Sequence, residues 1–494
     1  METKKLARHG IIYSVAAILT QLVTLLLVPV FTKNMSQAEF GNYSLLTSAQ
    51  SLLSIAITLG INSGMTRFIN EFEDKNRTKN ITLTFSIIWG IIVCLLVLPV
   101  SDPIYRALFS SEDNGGYYIN LIVVSSALLC LINIYTTYYM MQFKSRHVSV
   151  ILFTKAVLML VIAYYLIAQK QSGVEGALLS QLLSHLIVLA SIVAYDHKYF
   201  RLVFAREELR HMLKYGSGLL LGSVSTWIYT LIDRYFIQVM LGLQQVAVYS
   251  LGYRLGMMME PLFIVPFKSV FTSFKYSVYK EADARKRINE VYKYYIFVGW
   301  FCVFGFSVFA RPAIIILSTA EYAVAFKVVP YIVLSYLLFG LGEFYSLGIH
   351  IKNKSLLDSY ILAVGAGSNI AFNIILIPGS GITGAAVATI LSYFIMNLLY
   401  FFIGRRYYDL EISFLEPFKG AVPFLILYGL YYIAYPVLDS LVYEIILSTL
   451  LCLIFVLLSI MFGLIKMQTV KEFINLGLAK VGLGTRQVEE SHAN

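Results

Sequence analysis

Charged residues are scarce in this chain of 494 residues. Asp, Glu, Lys and Arg together make up 13% of it, whereas hydrophobic residues make up 58% and the mean hydropathy is +0.74. A soluble globular domain carries about 25% charged residues. The composition therefore excludes an ordinary soluble globule and predicts a polytopic membrane protein.

Cysteines are also few, and no pattern of catalytic residues is recognisable. The four cysteines, Cys94, Cys130, Cys302 and Cys452, all lie inside apolar runs, without the spacing of metal ligands. This excludes a disulfide framework and indicates small core residues. We predict no catalytic residue, no metal and no cofactor, and hence a carrier and not an enzyme.

The chain lacks a signal-peptide cleavage site. Lys4, Lys5 and Arg8 precede an apolar run at 11–31, but this run is too long for a signal peptide and no small-residue cleavage site follows it. At about 20 apolar residues per crossing, this run is the first of fourteen predicted spans. Their limits are 10–32, 42–66, 80–100, 119–142, 149–168, 174–194, 215–241, 246–274, 294–317, 328–349, 357–377, 382–403, 418–436 and 441–465.

Basic residues are distributed unevenly between the two sides. With the N-terminus inside, 29 Lys and Arg residues lie in inner segments, and only Lys33, Arg106, Lys170 and Lys327 lie in outer loops. Positive residues accumulate in cytoplasmic loops. The net charge of +10 is therefore a topology signal, which argues against nucleic acid as a partner. It predicts a multi-pass protein of the cytoplasmic membrane with both termini cytoplasmic.

The two halves of the chain weakly repeat each other. Residues 43–45 recur as 249–251, and the opening of span 6 at 173–184 resembles that of span 12 at 381–392. Since six spans bring the chain back to the same side, the repeats would be parallel. We predict an all-α protein with two six-helix lobes and a C-terminal helix pair. The predicted divisions are an N-terminal lobe at 1–200, an amphipathic linker at 201–214, a C-terminal lobe at 215–410, spans 13 and 14 at 411–466, and a cytoplasmic tail at 467–494.

Five ionisable residues interrupt spans 7 and 8. Asp233 and Arg234 lie in span 7, and Arg254, Glu260 and Lys268 lie in span 8. Each ionised side chain costs about 2.5–3.5 kcal/mol at the centre of a bilayer helix. We therefore expect these groups to face one another or a wet cavity, and the default interpretation of such a site is a transport pathway.

Arg254 and Lys268 are the strongest candidates within this set. They lie roughly 21 Å apart along a helix and close to one face, so the pair could hand an anion across the membrane. Pro261 and Pro266 are predicted to kink this span. The alternative is that Arg254 and Glu260 form structural ion pairs between helices.

Asp233 and Arg234 are adjacent in sequence and therefore predicted to point to different faces. Near the outer end of span 7, they suit a structural clamp between helices better than a substrate site. Arg67 and Lys155, near cytoplasmic ends, could snorkel or contact substrate, and Arg311 lies near the outer side. His185 is predicted to be a hydrogen-bonded core histidine. Glu343 and Glu260 are the candidate ion-coupling carboxylates.

Uncharged polar residues follow one face of span 2. They recur at steps of three or four from Ser44 to Asn62. Hydroxyls and amides suit the donors and acceptors of a sugar, but small polar residues also permit close helix packing, and the sequence favours neither. The candidate binding residues are Gln21 of span 1 and Ser51, Ser54 and Thr58 of span 2.

In its arrangement of spans the chain resembles the multidrug/oligosaccharidyl-lipid/polysaccharide exporter superfamily. The similarity rests on the six-plus-six spans, the basic linker, the Asp233-Arg234 pair and the Gly-x-x-Gly-Ala openings of spans 6 and 12. Within it, the chain is most similar to the polysaccharide transporter branch, the Wzx-type oligosaccharide flippases. The resemblance implies two lobes around a central cavity, alternating access, and an undecaprenyl-diphosphate-linked oligosaccharide as substrate. A polysaccharide polymerase and glycosyltransferases are further candidate partners.

Three other functions compete with this hypothesis. Many members of the branch have twelve spans, whereas fourteen is closer to lipid II flippases, whose extra pair helps form a groove for the lipid tail. A cation-coupled multidrug antiporter would need deep carboxylates, but the charge predicted within the spans is mostly positive. A membrane glycosyltransferase or polymerase usually has a large outer loop, and the longest one here is 101–118.

Overall fold

The computed structural model describes residues 2–72, 74–109, 115–438, 440–465 and 467, and over these ranges the regular structure is entirely helical. The predicted cytoplasmic tail lies outside the described residues except for Met467. The α-helices are α1 Glu2–Asn34, α2 Gln37–Thr58, α3 Ile61–Phe68, α4 Lys75–Val97, α5 Ser101–Phe109, α6 Gly116–Met141, α7 Ser145–Ala163, α8 Gly173–Asp196, α9 Arg206–Ser217, α10 Leu220–Leu241, α11 Leu243–Gly256, α12 Val265–Val278, α13 Ala284–Leu317, α14 Val329–Tyr345, α15 Leu347–Ile351, α16 Ser355–Arg405, α17 Ala421–Ala434 and α18 Leu441–Met461.

Each predicted span corresponds to helical structure. Over the described residues, ten helical segments are long and apolar enough to cross a membrane, or twelve if each bent pair is one span. The bent pairs are α2 with α3, at 50°, and the 3₁₀ segment Ala320–Lys327 with α14, at 40°. Predicted span 7 corresponds to α10, which is not among these segments because its polar side chains lower its mean hydropathy. Spans 11 and 12 are both contained in α16.

A glycine divides α16 into two helices. At 1.5 Å per residue, its 51 residues would extend about 77 Å, more than twice the roughly 30 Å hydrocarbon core of a bilayer. Gly381 interrupts the run with φ 60° and ψ −142°, a conformation that residues with a Cβ rarely adopt. The boundary predicted between spans 11 and 12 falls at this position.

The α-helix of span 8 is interrupted where the kink is predicted. α11 ends at Gly256, a π-helical turn follows at Glu260–Ile264, and α12 begins at Val265. Proline removes an intrahelical hydrogen bond and its ring crowds the preceding turn; Pro261 lies within this turn, and Pro266 lies two residues after it. The span is therefore built from two helices joined by an irregular turn.

Close backbone contact joins α3 to α9. Gly60, at φ 72°, begins the bend between α2 and α3, and a Cβ added there would lie 2.3 Å from the Gly216 carbonyl oxygen. A Cβ added at Gly216 would lie 2.2 Å from the Gly60 oxygen. Only glycine fits at both positions, so α9, at the end of the predicted linker, packs directly on the first half of the chain.

The chain forms two compact units. The first comprises Met1–Pro266 and Ala313–Tyr408, and the second Phe267–Pro312 and Asp409–Asn494. In the first unit α2 packs against α6 and α11, α1 against α7, and α10 and α14 along α16. In the second unit Phe304 stacks on Phe455 with centroids 4.9 Å apart, and Trp300 donates from Nε1 to the Pro417 oxygen at 2.6 Å. The two six-helix lobes stay a prediction.

Topology can be tested by cysteine labelling in a cysteine-free background. Ser277 is exposed near the end of α12, and we expect a cysteine there to react with an impermeant maleimide only from the cytoplasmic side. Cysteines at Ser110 and Asp439, which lie outside the described residues, should react from outside. Labelling of position 277 from outside would contradict the predicted orientation.

Candidate functional site

Arg254 lies within the membrane-spanning part of α11, surrounded by aromatic rings. It is eleven residues from the first residue of the helix, about 17 Å along the axis. Its Cζ atom lies 5.7 Å from the ring centroid of Phe31 in α1 and 5.5 Å from that of Phe40 in α2. The Tyr43 hydroxyl of α2 also interacts with the guanidinium. These contacts join the first helices of the chain to α11.

No ion pair joins Arg254 to a carboxylate among the residues that the structure describes. Cation–π contacts are worth about 0.5–2 kcal/mol. The rings therefore position the guanidinium but do not neutralise its charge. The side chain is only partly buried. Of the two alternatives drawn from the sequence, an inter-helix ion pair and a group available to an anion, the geometry of Arg254 favours the second.

Asp233 and Arg234 form a buried network that ties α10 to α11. The two side chains are 1% and 5% exposed, and Arg234 Nη1 lies 3.6 Å from Asp233 Oδ1, so they do not point to different faces. The Tyr249 hydroxyl donates to Asp233 Oδ2, and Arg234 donates from Nε to Ser250 Oγ at 3.3 Å. The guanidinium also lies 4.6 Å from the Tyr253 ring. This geometry is that of a clamp between helices.

Lys268 and Glu260 lie on opposite sides of the division between the units. Glu260 is half-buried in the π-helical turn of the first unit. Lys268 is exposed on α12, in the second unit. The predicted common face of Arg254 and Lys268 therefore remains a prediction.

Lys155 lies deeper than its predicted place near a cytoplasmic end. α7 and the π-helical turn after it extend from Ser145 to Gln169, which puts Lys155 about 15 Å from the start of the helical run. No ion pair joins it to a carboxylate among the described residues. His185 of α8 lies close enough to interact electrostatically with it. Lys155 is therefore a second cation at mid-span.

The His185 side chain makes the hydrogen bond predicted for it. Its Nδ1 atom lies 2.9 Å from Ser125 Oγ of α6. Gln50 of α2 donates to the same Ser125 oxygen at 3.3 Å, and Gln181 donates to Gln50 Oε1 at 2.9 Å. This chain of polar groups beside Lys155 was not predicted, because single Gln and Ser residues in apolar helices give no sequence signal.

The hydroxyls of α2 mostly donate to their own helix. Ser51 donates to the Thr47 oxygen at 3.0 Å, Ser54 to the Gln50 oxygen at 2.9 Å, and Thr58 to the Ile55 oxygen at 3.1 Å. Such bonds are common for Ser and Thr inside helices. They use the hydroxyl proton and leave the lone pairs free to accept, so both predicted roles remain. Gln21 is half-buried on α1.

The remaining candidates differ in their surroundings. Arg67, in the last turn of α3, makes an exposed ion pair with Glu71, four residues later. Glu343 is half-buried at the end of α14, close enough to interact with Asp358 of α16. Asp358 accepts a hydrogen bond from the Tyr400 hydroxyl at 2.8 Å and lies 3.3 Å from His350 Nε2. Glu343 thus belongs to a group of titratable side chains.

Two buried ion pairs were missed by sequence reasoning. Lys79, counted as a loop cation, is 0% exposed and paired with Asp196 of α8, between the rings of Tyr135 and Tyr138 at 5.5 and 5.0 Å. In the second unit, Arg311 pairs with buried Glu444 of α18, which also accepts from the Tyr431 hydroxyl at 2.7 Å. Arg311 therefore has a structural partner within its own unit.

Comparison with known proteins gives the same fold. The lipid II flippase MurJ, in its inward closed conformation, superposes with a TM-score of 0.73 over 92% of this chain and 99% of MurJ, at 16% identity. An inward-facing multidrug resistance MATE transporter of the MOP superfamily gives 0.67 over 81% of this chain and 99% of the transporter, also at 16% identity.

Sequence comparison identifies the family. An uncharacterised membrane protein of Methanocaldococcus jannaschii is 22% identical over 440 residues, covering 80% of this chain and 82% of that protein. The family model described as "Polysaccharide biosynthesis protein" matches residues 6–272, more than half of the chain. The resemblance to polysaccharide transporters is thereby confirmed at the level of the family: this chain belongs to the polysaccharide biosynthesis protein family, with the fold of the multidrug and lipid exporters.

Proposed function

We propose that the chain is a flippase that moves an undecaprenyl-diphosphate-linked oligosaccharide from the inner to the outer leaflet of the cytoplasmic membrane by alternating access. The membership of the polysaccharide biosynthesis family and the fold shared with a lipid flippase support this proposal. The observation that carries it is Arg254, a cation held within a membrane span by aromatic rings and without a carboxylate partner among the described residues.

The substrate's diphosphate requires such a group. It carries about two negative charges, and an unpaired charge is prohibitively costly in hydrocarbon. An arginine stays ionised and can bind phosphate oxygens through two parallel hydrogen bonds. A guanidinium already neutralised by a carboxylate would offer less attraction. Arg254 therefore binds the diphosphate in this proposal, and Lys268 acts as the second cation along the route.

The sugar chain needs donors and acceptors, not charge. Gln21, Ser51, Ser54 and Thr58 supply uncharged oxygens whose lone pairs can accept from sugar hydroxyls. Lys155 of α7 contributes a further cation, and Arg67 one at the end of α3. Asp233 and Arg234 hold α10 and α11 together and so fix the position of the helix that carries Arg254.

The energy for export can come from the membrane potential. Moving one negative charge outward in an inside-negative cell gains about 2.3 kcal/mol per 100 mV. Glu260 and Glu343 are the carboxylates available for ion coupling. Glycosyltransferases would supply the lipid-linked oligosaccharide, and a polymerase would use it on the outer side for capsule, O-antigen or exopolysaccharide.

A cation-coupled antiporter is the second candidate function. The group formed by Glu343, His350, Asp358 and Tyr400 could bind a proton, and the MATE fold is the same. The mid-span cations Arg254 and Lys155, however, would repel a cationic drug. A lipid II-type substrate would share the diphosphate and differs only in the sugar.

The proposal is tested with purified protein in sealed vesicles that contain a fluorescent undecaprenyl-diphosphate-linked oligosaccharide in the inner leaflet. We expect protein-dependent appearance of the label at the outer leaflet, where an impermeant reagent quenches it. A matched lipid-linked sugar that lacks phosphate should not cross. No transfer above protein-free vesicles, combined with transport of an organic cation, would favour the antiporter.

A further inference from the structure

A groove lies between α7 and α8, lined by none of the residues proposed to bind the substrate. Its volume is about 320 Å³, at the lower end of the range of ligand pockets. It lies at the end of both helices that is predicted to be cytoplasmic. It is lined by one face of α7, one face of α8 and Tyr139 at the end of α6.

The two walls of the groove are matching faces of antiparallel helices. α7 contributes positions 147, 150, 151 and 154, and α8 contributes positions 188, 191, 192 and 195. Each set follows the i, i+3, i+4, i+7 spacing of one helical face. Position 147 lies opposite 195, with ring centroids 5.8 Å apart, so position 154 lies opposite 188. The groove therefore runs about 12 Å along α7.

The interior and the mouth of this groove differ in chemistry. Val150, Ile151, Val188 and Ile192 make the walls apolar, whereas Arg146 and His147 stand at the cytoplasmic end. The His147 Nε2 atom lies 3.5 Å from the Tyr195 hydroxyl. Arg146 forms no ion pair among the described residues, and none of the described lining residues is acidic.

The surroundings of the mouth add positive charge. Lys144 Nζ lies 5.7 Å from the Tyr139 ring, at the same end of the groove. Asp196, which directly follows Tyr195 in sequence, is buried and paired with Lys79. The groove is also open from the side, since Val150 is 63% and Tyr195 66% exposed. A ligand can therefore enter laterally from the bilayer.

We propose that this groove binds an anionic glycerophospholipid of the inner leaflet. One acyl chain lies between the apolar faces of α7 and α8, and the phosphate is held at the mouth by Arg146 and His147. Basic pockets between helices on the cytoplasmic side attract anionic headgroups, and the apolar walls with a basic mouth fit part of one acyl chain and one phosphate. The lipid is a resident partner of the protein and not its transported substrate.

The test is native mass spectrometry of the purified full-length protein titrated with phosphatidylglycerol and, separately, with phosphatidylcholine of the same chains. We expect the wild type to prefer phosphatidylglycerol. R146Q should weaken phosphatidylglycerol binding about fivefold, the effect of one basic residue on attraction to an anionic lipid, and leave phosphatidylcholine unchanged. V150W should weaken both lipids, because the indole fills the middle of the apolar wall.

The matched control is R201Q, which removes a cation from the connection between α8 and α9 without touching the groove lining. It should bind both lipids as the wild type does. An unchanged phosphatidylglycerol preference in R146Q would overturn the assignment of the headgroup. Binding of both lipids to V150W as to the wild type would overturn the assignment of the chain, and a dimer in place of lipid adducts would indicate that a second copy covers the groove.

Discussion

Arg254→Ala is expected to abolish glycan export while leaving the protein folded in the membrane. Each charge-assisted hydrogen bond to phosphate is worth about 1.5–3 kcal/mol, so the loss of a two-point contact should reduce transport about a hundredfold or more. The substitution breaks no ion pair among the described residues, so it leaves no buried carboxylate without a partner. Its neighbours Phe31 and Phe40 lose only a cation–π contact. The measurement is surface polysaccharide in a host lacking its own flippase.

Conservative variants distinguish charge from geometry in this experiment. Arg254→Lys keeps the charge but loses the two-point contact, so it should restore export only in part. Lys268→Arg should keep most activity, because a point charge suffices there. Arg106→Ala removes an exposed arginine and serves as the control for general effects of lost charge. Wild-type export by both Arg254→Ala and Lys268→Ala, at normal expression, would refute the mechanism.

Lys79→Met is expected to destabilise the protein strongly. It leaves Asp196 as a buried, unpaired carboxylate between α4 and α8, and breaking a buried ion pair from one side costs about 3–5 kcal/mol. Total stabilities are only about 5–15 kcal/mol. The melting temperature of detergent-solubilised protein, followed by size-exclusion chromatography after heating, should fall markedly, and less folded protein should reach the membrane.

Two further variants make this stability prediction specific. Lys79→Met combined with Asp196→Leu should recover much of the loss, because an apolar pair can replace a buried ion pair at little cost. Arg77→Met, two residues away, breaks a pair with Glu208 in which Arg77 is 53% exposed. Exposed pairs contribute about 0–1 kcal/mol, so its melting temperature should barely change. Equal effects of Lys79→Met and Arg77→Met would contradict the account.

The helices were predictable because hydrophobic runs of membrane length are a local property. The helical runs that coincide with the predicted spans, the irregular turn at Pro261 and the division at Gly381 follow from such local signals. The start of α4 was predicted less accurately: the helix begins at Lys75, five residues before the predicted start of span 3. This difference brings Lys79 into the helix and explains why it was counted as a loop cation.

Partners that are distant in sequence could not be predicted. Lys79 pairs with a residue 117 positions away, and Arg311 with one 133 positions away. The setting of Arg254 depends on α1 and α2 packing against a helix from the second half of the chain. The depth of Lys155 was misjudged for a local reason, since the predicted span began four residues after α7 begins. Sequence patterns thus identified which residues are costly to bury, and the packing of helices decides which of them are paired.

Direct binding measurements test whether Arg254 holds the diphosphate of a lipid-linked oligosaccharide. Dissociation constants of the purified wild type and of Arg254→Gln are compared for the same lipid-linked oligosaccharide carrying a diphosphate or a monophosphate. We predict that the wild type prefers the diphosphate and that Arg254→Gln loses this preference, with at least about tenfold weaker diphosphate binding. Equal preference for the diphosphate in both proteins would contradict the account.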